Sequence, residues 1–363
     1  MKNGNLQSFR NPNIELCRFI AAIVIAFHHT EKIGGHEFFD AYRIAPGGWI
    51  FVEFFFILSG YFMTKHFERI EVSKNDKIEK YVVIYAVRKL LKIVPYAAIG
   101  IIIDAVAQIG CGDIEKGDMW NLVVELPLHF LLLKGINILR FDINAPLWYL
   151  TEILIVMPLL ALFCLRYRYF YKYIASWIFP LVIYTVIFLL FGNIQYWGKY
   201  WAINCMMRAF ADLMLGSVVY YLSECLRTKI ITNNKRIILT IIEIMLFTCL
   251  VAFSFLEECL NYAMPCVLFS VVFLCIALSE QEHMQYIIPR KAVFLGQIST
   301  ALYCLHRPIF DLIRWLCSGT AFFDRLLIAM ITSLAFSTFI SFGINSFLNQ
   351  KKQNFVNRTN RTV

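Results

Sequence analysis

Apolar runs of membrane-spanning length recur along almost the whole chain, near residues 14–30, 47–64, 90–109, 147–165, 174–192, 202–222, 237–256, 262–279, 292–316 and 322–347. A bilayer core takes about 20 consecutive apolar residues to cross as a helix. Lipid offers no partner to a backbone N–H or C=O, so the crossing segment must satisfy them itself. A chain built this way is expected to be an all-α polytopic membrane bundle of about ten helices. Of its 363 residues, 59% are hydrophobic and only 16% charged, where soluble domains carry roughly a quarter. No polar interval is long enough for a separate soluble domain, so residues 1–350 form one transmembrane unit, followed by a short basic tail at 351–363.

An eleventh run, 119–134, is shorter and holds Glu125, Pro127 and His129. Loop charge decides how to read it. Lys2 and Arg10, the segment Lys65–Lys92, the cluster Arg166, Arg168 and Lys172, the segment Arg227–Arg236, Arg290 with Lys291, and the tail from Lys351 are basic. The loops at 31–43, 111–118 and 257–258 are acidic or weakly charged. Basic loops stay in the cytoplasm, and all of these fall on one side only if 119–134 does not cross. The expectation is ten spans, both termini cytoplasmic, a multi-pass protein of the cell membrane, and 119–134 as an outer re-entrant or surface-lying helix. The net charge of +9 then reports orientation, and nucleic acid is not an expected partner. The first run has Arg18 before it and no small-residue cleavage site after it, so it reads as a retained span rather than a cleaved signal. The 11 cysteines show neither CxxC nor zinc spacing, and no metal is expected.

Ionisable groups inside spans are costly, about 2.5–3.5 kcal/mol for Arg, Lys or Asp at a helix centre, so each needs a partner, a wet cavity or a task. In the first run, Arg18 and His29 are eleven residues apart, on nearly one helix face and about 16 Å apart along the axis. His28 faces elsewhere. In "GGWIFVEFFFILSGYF" Glu53 sits among aromatic residues, either a protonated packing partner or a carboxylate orienting an imidazole or a base. "YAVRKLLKIVPY" sets Arg88, Lys89 and Lys92 before Pro95, either as inside-facing anchors or as a phosphate clamp. Glu152 follows an outer Trp-Tyr pair in "NAPLWYLTEI", and His306 and Arg307 precede Pro308 in "ISTALYCLHRPIF". Two polar groups beside a helix-breaking proline suit a cavity wall.

Taken in order, these five motifs resemble the acyltransferase 3 family of membrane acyltransferases, which includes O-acetyltransferases of bacterial surface glycans. The resemblance covers essentially the whole chain. It implies an O-acetyltransferase that takes an acyl group, commonly acetyl from acetyl-CoA, and passes it to a hydroxyl, usually on a sugar; the acyl-CoA is a donor substrate and no permanent cofactor is implied. The family's catalytic histidine maps to His29, its partner across ten intervening residues to Arg18, and its acidic position to Glu53. Its RxxR motif falls on Lys89 and Lys92 with Arg88 beside them, a departure that keeps charge but loses the guanidinium fork. Many relatives carry a further span and an extracytoplasmic hydrolase-like domain. The expectation here is direct transfer to the acceptor, or to a separate partner protein.

Acyl transfer from a thioester to an alcohol needs a base, a donor for the oxyanion and a seat for the donor's phosphates. The expected assignment puts the phosphates near Arg88, Lys89 and Lys92, with Arg18, and the pantetheine arm reaching toward His29. His29 is either the general base or an acyl carrier, with Glu53 or Glu152 orienting the imidazole and His306 the second candidate. A transporter of a lipid-linked sugar or anion is the alternative. The absence of a visible internal repeat counts against it, and consumption of labelled acetyl-CoA separates the two. A catalytically dead sensor on the same scaffold is a third reading.

Overall fold

The Asn11 side chain accepts the Asn13 backbone N–H at 2.9 Å, and Pro12 stands in the first turn, where no N–H is missed, so the first helix starts there. The computed structural model describes residues 11–34, 44–71, 77–194, 196, 198–227, 233–256, 268, 270–272 and 293–359. Every regular element among them is helical. The longer helices are α1 (Pro12–His28), α2 (Ile50–Phe67), α3 (Ile78–Cys111), α4 (Met119–Phe130), α5 (Trp148–Arg166), α6 (Ser176–Phe191), α7 (Trp201–Arg227), α8 (Asn233–Phe253), α9 (Leu295–Leu316) and α10 (Phe322–Thr359).

Among the described residues, six helical stretches are long and apolar enough to cross a bilayer: Pro46–Phe67, Ile78–Cys111, Ala145–Arg166, Arg168–Phe191, Trp201–Leu226 and Phe322–Phe347. The chain is a polytopic membrane bundle. Apolar runs at the first and ninth positions also form helices, but α1 has 17 residues, and α9 carries Arg307, Asp311 and Arg314. The run at 262–279 lies largely outside the described residues. The α4 helix has 12 residues, about 18 Å at 1.5 Å each, well short of the ~30 Å hydrocarbon core. It turns Trp120, Val123 and Val124 outward and buries Leu122 and His129.

One boundary differs from the sequence expectation. The third helix does not begin near residue 90 but at Ile78, and it runs 34 residues. Glu, Lys and Arg in its first turns are good helix formers, so the helix continues beyond the apolar segment. Arg88, Lys89 and Lys92 therefore sit on the helix itself.

Charged α9 is buried because other helices surround it: it packs on α3, α10 and α1. Pro308 lies inside this helix and cannot bond the Cys304 carbonyl four residues back. Asn144 fills that place, its Nδ2 donating to the Cys304 oxygen at 2.9 Å. The Asn144 backbone N–H donates to Asp104 Oδ2 on α3 at 2.6 Å. Asn144 sits at φ 46°, in the left-handed region that Asn tolerates better than most residues. The segment before α5 is thus tied to α3 and α9 at once. A second close approach joins α2 to α7, where a Cβ on Gly60 would collide with the Leu213 carbonyl and one on Gly216 with the Ile57 carbonyl. Small residues let helix backbones meet in this way in membranes.

Candidate active site

Two cavities lie at opposite ends of α1. The Arg18 cavity, of about 510 Å³, is lined by Arg18, Lys89, Lys92, His66 and the rings of Tyr149 and Tyr303, among others. The His29 cavity, of about 660 Å³, is lined by His29, Arg208, Arg307 and three tryptophans, Trp49, Trp148 and Trp201. A chain of contacts leads from one to the other. Tyr303 lines the first cavity, its ring centroid is 6.3 Å from that of His306, and His306 touches His29.

The two histidines fix each other's protons. His29 Nδ1 is 2.9 Å from the Ile25 carbonyl oxygen, and His306 Nδ1 is 2.9 Å from the Leu302 carbonyl oxygen. A carbonyl only accepts, so each Nδ1 carries the hydrogen. His306 Nε2 lies 3.3 Å from His29 Nδ1, and two N–H groups cannot face each other, so His306 Nε2 is an unprotonated acceptor. The remaining nitrogen of a neutral His29, Nε2, then holds a lone pair. His28, whose ring centroid is 5.0 Å from that of His29, has a different partner: its Nδ1 donates to the Ala45 carbonyl at 2.9 Å and latches the loop before α2 to α1.

Of the alternatives left open for Glu53, the structure shows the carboxylate on a basic group, Arg208, rather than on the His29 ring, and Glu152 has no hydrogen bond to either histidine. Glu53 Oε1 is taken by Arg208, through Nε at 2.8 Å and through Nη2. Arg208 is 3% exposed, and its guanidinium lies 5.7 Å from the Trp49 ring centroid and 5.4 Å from that of Trp148. Asp212, four residues on from Arg208, accepts the Tyr184 hydroxyl. Glu152 is fully buried beside Gly135, and neither of its carboxyl oxygens has a hydrogen-bond partner among the described residues. The His29 imidazole has a carbonyl and a histidine as its partners, while the acid on α2 meets the cation on α7.

In the Arg18 cavity, Arg18 donates to Glu15 at 2.8 Å and to Thr300 at 3.2 Å. Lys89 Nζ is 3.3 Å from Met157 Sδ, and Lys92 lines the same space. Arg88 is not part of this lining, whereas Lys89 and Lys92, one turn apart, both are. Around the His29 cavity, Asp142 joins Lys134 at 2.7 Å and Arg307 at 2.6 Å. Taking the Asp142 carboxyl out of bulk water opposes its ionisation, yet Arg307 and Lys134 outweigh that cost and hold it well below the usual carboxylate range. Among the described residues no group of three or more His, Cys, Asp or Glu is placed to hold a metal ion.

A family model described as an acyltransferase domain matches residues 11–344. The chain belongs to the acyltransferase 3 family. It is therefore a multi-pass membrane acyltransferase. No curated protein and no solved structure matches it. In this acyltransferase, sequence reasoning missed Arg208, Asp212, Asp104 and Asp142. Arg208 with Asp212 and, in the third run, Asp104 are ionisable groups inside apolar runs, the same signal that singled out Arg18 and Glu53. Asp142 lies in a loop, where an acidic residue carries no such signal, and only the tertiary structure brings it to Arg307.

Proposed function

We propose that the chain transfers an acyl group, acetyl in the simplest case, from acyl-CoA to a hydroxyl of a cell-envelope glycan. The observation that carries this reading is the pair of cavities with the packed side chains of Tyr303, His306 and His29 between them. The Arg18 cavity offers three cations in a row, Arg18, Lys89 and Lys92, suited to the phosphates of a CoA thioester. The His29 cavity offers tryptophan faces, on which a sugar ring can stack, with charged groups for its hydroxyls. A pantetheine arm entering past Tyr149 and Tyr303 would bring the thioester to the imidazole.

At that point His29 Nε2 removes the proton of the acceptor hydroxyl. The resulting imidazolium keeps both of its Nδ1 acceptors, the Ile25 carbonyl and His306 Nε2, so His306 acts as the positioning residue that supports the charge. General-base action also needs no covalent intermediate, and the Nδ1 bonds leave only Nε2 for it. On this reading the Arg18 cavity faces the cytoplasm of a cell membrane, both termini are cytoplasmic, and the chain crosses ten times.

The test uses purified protein in detergent or nanodiscs with radiolabelled acetyl-CoA and a mixture of envelope glycans. The wild type is expected to move label to glycan, and His29→Ala to lower the rate by about 10²–10⁴-fold, the usual worth of a general base. Full activity in folded His29→Ala would overturn the assignment. Unchanged acetyl-CoA alongside glycan movement across a membrane would favour the transporter instead.

A further inference from the structure

Acyl transfer develops negative charge on the carbonyl oxygen, and a preorganised N–H donor at that oxygen is commonly the largest single contribution to rate. His29 cannot supply it, because its Nδ1 hydrogen is committed and its Nε2 takes the acceptor's proton. We propose that Arg208 is this donor, a role that rests on the acyl-transfer reading above.

The other cations of the His29 cavity are otherwise engaged. Lys134 is bonded to Asp142 and to the Phe141 carbonyl. The Lys32 pKa is pushed down by burial and by the neighbouring Arg307, against the opposing charges of Asp142, Asp311 and Glu31. Arg307 spends Nη2 on Asp142 and turns Nε toward Asp311 at 4.0 Å, and both Nε and Nη1 are buried. Arg208 differs. Nε and Nη2 go to Glu53, while Nη1 has no bond to any described residue and is not fully buried. It is the nitrogen that the cavity reaches.

Everything else about Arg208 is held still. Glu53 grips one edge, and the Trp49 and Trp148 rings stand within 6 Å of the guanidinium. Glu53 also balances the charge, so the pair presents a strong donor without net charge. Such a donor meets a neutral thioester carbonyl without trapping anions, and its bond strengthens as the oxygen becomes charged. The step then runs as follows. The acceptor oxygen forms a bond to the thioester carbon while its proton passes to His29 Nε2, and the carbonyl π pair moves onto the oxygen held by Arg208 Nη1. Collapse restores the carbonyl and breaks the C–S bond, and the departing thiolate takes the proton from His29, giving an ester and free CoA.

Removing Arg208 alone strands the buried Glu53 carboxylate, so the test pairs Arg208→Gln with the double variant Arg208→Gln, Glu53→Gln, each checked for a folded monodisperse peak. The expected result is a fall in kcat of about 10²–10³-fold, with KM for acetyl-CoA and for the acceptor within about threefold of wild type. A folded variant that raises the acceptor KM and keeps kcat would overturn the proposal and make Arg208 an acceptor-binding residue. The wild type gives an independent reading: infrared difference spectra of bound acetyl-CoA carrying ¹³C at the carbonyl should show that stretch shifted to lower frequency than in water. An active wild type with an unshifted carbonyl overturns the role of Arg208 alone. A wild type that moves no label to any acceptor overturns the acyl-transfer reading, and this inference with it.

Discussion

If His29 is the base, as proposed, its decisive atom is Nε2, because Nδ1 is shared between the Ile25 carbonyl and His306 Nε2. This gives His306 a function that a substitution series can isolate. His306→Ala removes the acceptor and is expected to lower kcat by about 10-fold or more, the loss of one charge-assisted hydrogen bond of about 1.5–3 kcal/mol. His306→Gln can place an amide oxygen near the vacated Nε2 and should recover part of that loss, with the KM values unchanged; equal losses in both variants would contradict the positioning role. His28→Ala, measured beside them, unlatches the Ala45 carbonyl and should cost stability rather than chemistry, with kcat within a few-fold. Asp142 carries a pH prediction. Its carboxyl is depressed by Arg307 and Lys134, so its contribution is present above the unfolded value near 3.9 and is lost only as pH falls through the lower folded value. The Asp142 side chain is 55% exposed, which limits the contribution to about 1 kcal/mol or less. The difference in Tm between wild type and Asp142→Asn should therefore stay constant from pH 8 to pH 5, and a difference that vanished by pH 5 would refute the clamp.

Elements show where the sequence was readable and where it was not. Nine of the ten apolar runs coincide with helices, because the bilayer leaves a long apolar segment few other structures. The site was half legible for the same reason: Arg18, His29, Glu53 and His306 were visible as charges in the wrong solvent. Their pairings were not. Which cation meets Glu53 depends on the approach of α7 to α2, which Gly60 and Gly216 permit, and nothing in the period of either run announces that contact. Gly60→Ala tests it. The added methyl would meet the Leu213 carbonyl, and overpacking at a rigid backbone costs about 1–3 kcal/mol. The variant should show a lower Tm, and, because α2 and α7 carry Glu53 and Arg208, lower activity at temperatures where it remains folded. A Gly60→Ala protein with unchanged Tm would mean that the helices can separate at no cost. The loop before α5 was equally unreadable: Asn144 replaces the hydrogen bond that Pro308 forfeits, a repair made across 160 residues of sequence.

For the whole molecule, the placement of the two cavities at opposite ends of α1 bears on how the proposed transfer would run. Arg18 and His29 are separated by eleven residues, about 16 Å of helix, roughly half the ~30 Å hydrocarbon core. A donor held at Arg18, Lys89 and Lys92 and an acceptor held among Trp49, Trp148 and Trp201 would therefore approach the same imidazole from different sides of the membrane. An enzyme of this design needs no passage of either whole substrate through the bundle: only the thioester end of one must reach the hydroxyl of the other. This predicts vectorial transfer. In proteoliposomes sorted for one orientation, acetyl-CoA supplied on the side of the Arg18 cavity should acylate an impermeant glycan enclosed on the other side, and acetyl-CoA enclosed with the glycan should not. Lys89→Gln with Lys92→Gln should raise the KM for acetyl-CoA without changing that for the glycan, because the two cations line the Arg18 cavity and not the His29 cavity. Transfer that required both substrates on one side would show that a single cavity does the work, and the Arg18 cavity would then need another occupant.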